Sequence, residues 1–455
     1  MNNNFDQIKK ENLELNQKIK KLEVDKIEMK KYYENQLNQV DFKRFLKNNQ
    51  LYIKKNGYLM YLKSFFVILW RILKAIFRKF KCFFSSKINE ITLNKILRKN
   101  KNKQIYIFYP GYDWYMKMYQ RPQHMAINIA NKNNLYFYCT LNINDKINGF
   151  KNIENELYVT NEWNMLKKKI HGYNLIVYAN MNGCWIDEIK NIINDGNNIF
   201  YEYIDDLHED LTDISPALLE RHSYVLKNEK IPILCTSKYL YNKAKNIRSK
   251  NLYLSTNGVN YNDFHIINKL SLPEKIKKIV EKNTKIIGYY GALAQWFDYE
   301  LIVKIANEKK DWDILLIGID YDKTLEKYNY FHDYSNIHYI GIVPYNELVN
   351  YGYYCDVLTI PFLVNEITLA TSPVKIFEYM AMEKPIITTD LPECRNYKSV
   401  FISKTHSDFI KNIEKGIKIG NSKEYRKILK KEALENTWDK KADEVIKIVG
   451  KFNGK

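Results

Sequence analysis

Short apolar runs alternate with helix-length amphipathic segments twice along this chain, and no other feature limits its fold as strongly. The first series begins at Gln104. A strand over Ile105 to Tyr109 ends in Pro110-Gly111, a long aromatic loop follows, and Arg121 to Asn131 reads as a helix. Further strands are expected at Leu135 to Thr140, Leu175 to Ala179, Ile199 to Ile204 and Ile233 to Thr236, the last closed by Ser237. The second series begins at Lys285. It gives strand Ile286 to Tyr290, Gly291, a helix from about Asp298, strands Ile314 to Gly318 and Ile337 to Gly341, and a helix Tyr345 to Tyr354. Strands alternating with helices imply mainly parallel sheets covered on both faces. The expectation is therefore an α/β protein of two Rossmann-like domains, joined near Val259 to Asn283, that face a cleft. Ligands of such sheets bind beyond the carboxyl ends of the strands.

Residues Asp356 to Asp390 complete the second series as strand, polar turn, short helix and strand. Asp356 to Phe362 is the strand, Thr371-Ser372-Pro373 starts the helix, and Pro385 leads into Ile386 to Thr389. The N-terminus of such a helix offers unpaired N–H groups and the positive end of its dipole to a diphosphate, and Lys375 adds a full charge. Glu378 follows three residues later, about one turn on. Its carboxylate can accept hydrogen bonds from the vicinal hydroxyls of a ribose. The same residues also fit an ordinary βαβ unit with a Thr/Ser cap and a surface Lys–Glu pair.

Length and composition bound the rest. A chain of 455 residues, 45% of them hydrophobic, can fill two cores. The six cysteines form no CxxC pair and no Cys/His ligand spacing, so neither a disulfide framework nor a structural zinc is expected. The start MNNNFDQIKKENLEL carries no apolar signal region, and a cytosolic chain is expected.

The net charge is +19, but its placement argues against nucleic acid as a partner. Phe42 to Lys103 holds 17 Lys/Arg and one acid, Glu90, which accounts for +16. Within it, Tyr58 to Phe84 puts Lys63, Arg71, Lys74, Arg78 and Lys81 on one helical stripe, with aromatic and aliphatic residues around the remainder. Its longest uncharged stretch, Ser64 to Trp70, is far below the roughly 20 apolar residues of a spanning helix. A helix of this kind lies on an anionic membrane surface; it can equally be a core helix docked on the following domain. Upstream, Ile8, Leu15, Leu22 and Met29 recur every seven residues. That is a short coiled coil pairing two chains into a homodimer, or a lone solvated helix.

For chemistry, Tyr201 to Asp210 (YEYIDDLHED) runs out of a strand towards the cleft edge. It brings Asp205, Asp206 and His208, the dense titratable group there and candidates for a base that takes a proton from a bound hydroxyl. The plainer reading is that Asp205-Asp206 caps the next helix. Arg121 and His124 are further candidates on the first domain's side of the cleft, or else helix-start residues contacting the sheet. No metal site is expected.

Several segments, in order and spacing, resemble the nucleotide-sugar-dependent glycosyltransferases of the GT-B fold. They include TSKYL (Thr236 to Leu240), NGVNYNDF (Asn257 to Phe264), GYYGALAQWFD (Gly288 to Asp298), LLIG (Leu315 to Gly318), IHYIG (Ile337 to Gly341) and SPVKIFEYMAMEKPIITT (Ser372 to Thr389). YQRPQHMAINIA (Tyr119 to Ala130) is similar to the Arg-x-Gln-His start of bacterial cell-surface polysaccharide enzymes of the teichuronic-acid type. The resemblance covers roughly Gln104 to Asn396. It implies a donor site at Glu378, Lys375, Thr371, Ser372, Gly291 and the backbone near Gly341. The family's Glu-x7-Glu signature is incomplete, because Ala370 stands where the first Glu would be; Glu366 is near but out of register. The loop after Gly291 reads Ala292-Leu293-Ala294-Gln295-Trp296 where relatives carry Arg and Lys.

The expected layout is a coiled-coil helix over 1–45, a basic amphipathic segment over 46–103, an acceptor domain over 104–270, a nucleotide-sugar domain over 271–420 and C-terminal helices over 421–455. The expected activity is transfer of a sugar from a nucleoside diphosphate sugar, as co-substrate and with no cofactor, to a lipid-linked or growing surface glycan. It would take place at the inner face of the plasma membrane. The alternatives are a non-catalytic nucleotide-sugar sensor or scaffold, an epimerase on the same fold, and a metal-binding GT-A enzyme using the Asp pair.

Overall fold

The computed structural model describes Trp70, Lys74 and residues 85–116, 119–209, 214–328, 331 and 333–453. The heptads and most of the basic stretch Tyr58 to Phe84 lie outside these residues.

Both series of strands form the sheets their patterns imply. In the first lobe, β1 (Ile105–Phe108), β2 (Leu135–Cys139), β3 (Phe150–Glu154), β4 (Leu157–Thr160), β5 (Asn174–Tyr178), β6 (Asn198–Tyr203), β7 (Ile233–Cys235) and β8 (Leu252–Leu254) lie in the order β3-β4-β2-β1-β5-β6-β7-β8. All pairs are parallel except β3 with β4. Strand β2 reads LYFYC and every side chain is buried, as a strand with helices on both faces requires. Tyrosines serve as core residues here: Tyr106, Tyr136, Tyr138, Tyr178, Tyr201 and Tyr203 are all buried.

The second lobe contains β9 (Lys285–Tyr290), β10 (Trp312–Ile317), β11 (Ile337–Gly341), β12 (Val357–Ile360), β13 (Ile386–Thr389) and β14 (Val400–Ser403). Their order is β11-β10-β9-β12-β13-β14, all parallel. Strand order reverses between β1 and β5 in one sheet and between β9 and β12 in the other. At such switch points the flanking loops diverge and leave a crevice.

Three helices connect the lobes to the site. Helix α1 (Arg121–Asn131) follows the aromatic loop, α2 (Val374–Ala381) follows β12, and α3 (Trp438–Asn453) ends the described chain. Although α3 follows helices of the second lobe, it packs on α1, and Trp438, Ala442, Val445 and Val449 join the first lobe's core. The chain therefore crosses between lobes twice, side by side: Val259 donates to the Asn436 carbonyl and accepts from Trp438 N–H, both at 3.0 Å. Residues 88–99 form a further helix whose Leu93 and Ile96 enter the same core.

Candidate functional site

Three glycines end the adjacent strands β9, β10 and β11: Gly291, Gly318 and Gly341, all with positive φ. Gly291 N–H donates to the Ile317 carbonyl and Gly318 N–H to the Gly341 carbonyl, both at 2.9 Å, so the strand ends form a bonded rim. A Cβ at Gly318 would lie 1.7 Å from the Gly291 carbonyl oxygen. Only glycine permits that approach at φ +147°. At Gly291, with φ +146°, a Cβ would lie 3.0 Å from the Lys375 Nζ. The missing side chain is what lets an ammonium group sit at the end of β9.

Lys375 comes from the first turn of α2. Its Nζ lies 5.0 Å from the centre of the Phe362 ring and 5.6 Å from that of Tyr289, and no described carboxylate is within ion-pair distance. Burial lowers its pKa to about 8, with Glu378 acting in the opposite sense. Glu378, on the same face of α2, is only 6% exposed. Burial raises its pKa to about 7, against the pull of Tyr290 and Lys375, while Asp263 adds to the rise. Tyr345 borders the same carboxylate and donates to Asp263 at 3.4 Å. A buried cation and a buried acid, one turn apart at a switch point, suit a ligand carrying phosphate and hydroxyl groups.

The Thr371 and Ser372 side chains do other work. The N-cap of α2 is Pro373, which makes no side-chain cap. Thr371 donates to the Ile367 carbonyl at 2.9 Å, closing the preceding helix Glu366–Ala370. Ser372 faces the other lobe, where Asn257 donates from Nδ2 to its carbonyl at 2.7 Å and from its backbone N–H to its hydroxyl at 3.4 Å. A Thr/Ser cap is thus corrected to a lobe-to-lobe contact, because the preceding helix and Asn257 compete for these hydroxyls. Ala370 is buried against the first lobe, its carbonyl accepting from the Ser237 hydroxyl at 2.8 Å. Glu366 stays exposed on the first turn of its own short helix.

The structure separates the acidic candidates of the first lobe. Asp206 accepts from Lys243 at 2.6 Å, Tyr203 at 2.5 Å and Leu207 N–H at 3.0 Å. Burial alone would raise its pKa, but these donors hold it below the usual carboxylate range. The next long helix, Pro216–Lys227, is capped by Ser215, so the Asp pair is no cap. Asp205 has no hydrogen bond among the described residues, and burial, then the Asp206 charge, raises its pKa to about 6. It acts on the Tyr112 hydroxyl, as does Tyr321 of the opposite lobe. Asp205 thus lies at the carboxyl end of β6, beside the loop that follows β1. His208 is half-buried in the same loop.

Arg121 and His124 are committed to the interior. Arg121 donates from Nε to Glu202 of β6 at 2.6 Å and from Nη1 to the Thr256 carbonyl at 3.1 Å. His124 stacks on Trp438 at 4.9 Å, and burial lowers its pKa to about 3, so the ring is neutral. Both are helix-start residues contacting the sheet and the returning helix, the plainer of the two expectations. The sequence reading missed Gly318, Tyr290, Tyr345 and Tyr321. Gly318 could have been found, since it ends a strand as Gly291 does; the tyrosines carry no pattern distinguishing them from core. Among the described residues, no group of three His, Cys, Asp or Glu side chains is arranged to hold a metal ion.

Comparison with known proteins matches residues 284–417 to the family described as Glycosyl transferases group 1. A Bacillus subtilis (strain 168) protein named as a teichuronic acid biosynthesis glycosyltransferase, TuaH, is 24% identical over 251 residues, covering 52% of this chain. The chain spans 62% of that relative's length. Among solved structures, sucrose-phosphate synthase (tll1590) from Thermosynechococcus elongatus superposes with a TM-score of 0.57 at 12% identity, over 77% of this chain and 99% of that one. Anabaena Alr3699/HepE in complex with UDP gives 0.55 at 12% identity, over 77% and 100%. Likeness at such identity shows the fold: two facing Rossmann-like domains in the GT-B arrangement.

Proposed function

We propose, for a chain whose residues 284–417 carry a glycosyl transferases group 1 domain on a GT-B frame, that it moves a sugar from a nucleoside diphosphate sugar to a lipid-linked or growing cell-surface glycan. The observation that carries this reading is the Lys375 ammonium at the end of β9, in the space left by Gly291, with Glu378 one turn away. Lys375 and the first-turn amides of α2 would hold the diphosphate, and ionised Glu378 the ribose hydroxyls. The rim at Gly318 and Gly341 would border the base. The structure of HepE with UDP and the naming of TuaH support the choice of donor and acceptor class.

In the reaction the bond from the anomeric carbon to the diphosphate oxygen breaks, and a bond from the acceptor hydroxyl oxygen forms. The hydroxyl proton needs a base. Asp205, with its pKa near 6, is mostly ionised at pH 7 and can accept it, or can balance positive charge on the sugar ring. Lys375 offsets the charge that develops on the departing diphosphate. No cofactor enters this scheme. The basic segment Tyr58 to Phe84 would keep the enzyme on the inner leaflet, beside its acceptor.

Titration calorimetry with a panel of nucleotide sugars tests the donor site. At least one should bind the wild type saturably, and Glu378→Ala should weaken it by roughly 10- to 100-fold while a cooperative melting transition is retained. Wild-type affinity in the variant would remove Glu378 from the site. A sensor or scaffold remains the second reading, favoured by Ala370 at the position of the signature's first Glu, and turnover distinguishes it from an enzyme.

A further inference from the structure

Four large apolar side chains are exposed on two neighbouring loops at the carboxyl ends of β1 and β2: Tyr115 (51%), Met116 (36%), Leu141 (47%) and Ile143 (72%). The loops are locked together and are not slack connections. Asp113 of the first accepts from the Ile143 and Asn144 backbone amides of the second, at 3.1 and 2.6 Å. Asp145 of the second accepts from the Trp114 and Tyr115 amides of the first, at 2.6 and 2.8 Å. The Thr140 hydroxyl lies 3.0 Å from Asp113 and 2.5 Å from Asp145. Asn142 and Lys146 hold positive φ to complete the turn. Two acids are thereby turned inward and saturated by amides. Exposed Lys146 and Lys151 flank the tip, the Lys151 Nζ sitting 4.8 Å from the centre of the Tyr115 ring, with exposed Glu154 further along the strand of Lys151.

We propose that this tip of the first lobe is a membrane-docking surface that seats in the interfacial layer of an anionic bilayer. Apolar side chains held rigidly outward lose little conformational freedom on insertion. The inward-facing acids remove repulsion from lipid phosphates, and the flanking lysines attract them. Tyrosine suits the boundary, with an apolar ring and a polar hydroxyl. The tip lies on the strand-end side of its sheet, the side that faces the cleft, so docking would bring the opening to the lipid surface. This rests on the reading of a membrane-borne acceptor and adds a second contact, separate from the basic segment Tyr58 to Phe84.

The test uses the full chain with Ile143→Cys labelled by an environment-sensitive fluorophore, in a Cys82→Ser background, since the other five cysteines are buried. Vesicles of phosphatidylglycerol and phosphatidylcholine should shift the emission to the blue, and spin-labelled lipids with shallow quenchers should quench it. Phosphatidylcholine alone should need roughly tenfold more lipid for the same shift. Water-like emission at lipid concentrations that sediment the protein, or no sedimentation at all, would overturn the proposal. In a second arm, Tyr115, Met116, Leu141 and Ile143 are changed together to Ser. Turnover of membrane-borne acceptor should fall by roughly tenfold or more, with melting temperature and nucleotide-sugar affinity unchanged. Equal turnover contradicts docking. A wild type that binds no nucleotide sugar would instead strike the donor reading and leave the fluorescence result standing.

Discussion

At the scale of single residues, the pair Lys375 and Glu378 carries its charges at some loss to stability. Glu378 has a folded pKa near 7, above the usual carboxylate value, so the native state binds the extra proton between about 4.5 and 7. The stability from this group is full below that range and is lost as pH rises through it. Lys375, near 8 and below the usual lysine value, binds fewer protons when folded, so its contribution grows as pH rises from about 8 to 10.5. Both groups are charged only between these limits, which is the state a nucleoside diphosphate needs. Donor affinity should therefore peak between about pH 7 and 8. It should fall on the acid side as Glu378 is protonated and on the alkaline side as Lys375 is neutralised. Affinities by calorimetry from pH 5.5 to 9.5 check this, and a flat profile would mean that neither group meets the ligand.

At the scale of elements, the glycine rim is the feature a single methyl group should break. Gly318→Ala places a Cβ 1.7 Å from the Gly291 carbonyl oxygen, at a φ alanine avoids, and should lower stability by roughly 3 kcal/mol or more with loss of donor binding. Chemical denaturation measures the first effect; stability within about 0.5 kcal/mol of wild type would mean that the rim relaxes freely. Strands β9, β10 and β12 were legible because each is a largely apolar run closed by Gly or Pro. Helix α1 was legible to its boundaries from its Pro and its periodicity. The hairpin β3–β4 was not, since FKNIE alternates with exposed Lys and Asn at a sheet edge, and three-residue β8 is too short for any period. Lys375 and Glu378 could be placed because local spacing alone puts them on one face. The partners of Ser372 and Arg121 could not, because Asn257 and Glu202 reach them only through the tertiary fold.

At the scale of the whole molecule, the two lobes are tied by a short set of polar contacts beside the paired crossings at Val259 and Trp438. The Ser237 hydroxyl donates to Ala370, the Lys238 N–H to Glu393 at 3.1 Å, and Asn257 to Ser372. Ala370 is buried in this lobe contact, where a lone carboxylate would be unfavourable. The destination of α3 was not legible either, because an amphipathic period shows that a helix packs and not on which sheet. The same scale governs location. Deleting Tyr58 to Phe84 should move most of the protein from the membrane to the soluble fraction, and unchanged sedimentation would remove that segment as an anchor. The central claim is sugar transfer itself, and turnover tests it most directly: wild type and Asp205→Asn are incubated with labelled nucleotide sugars and membrane extract. The account predicts label appearing in lipid-extractable or polymeric glycan with release of nucleoside diphosphate, and a rate about 10²- to 10⁴-fold lower for Asp205→Asn. Nucleotide-sugar binding with no transfer above the enzyme-free rate would contradict it.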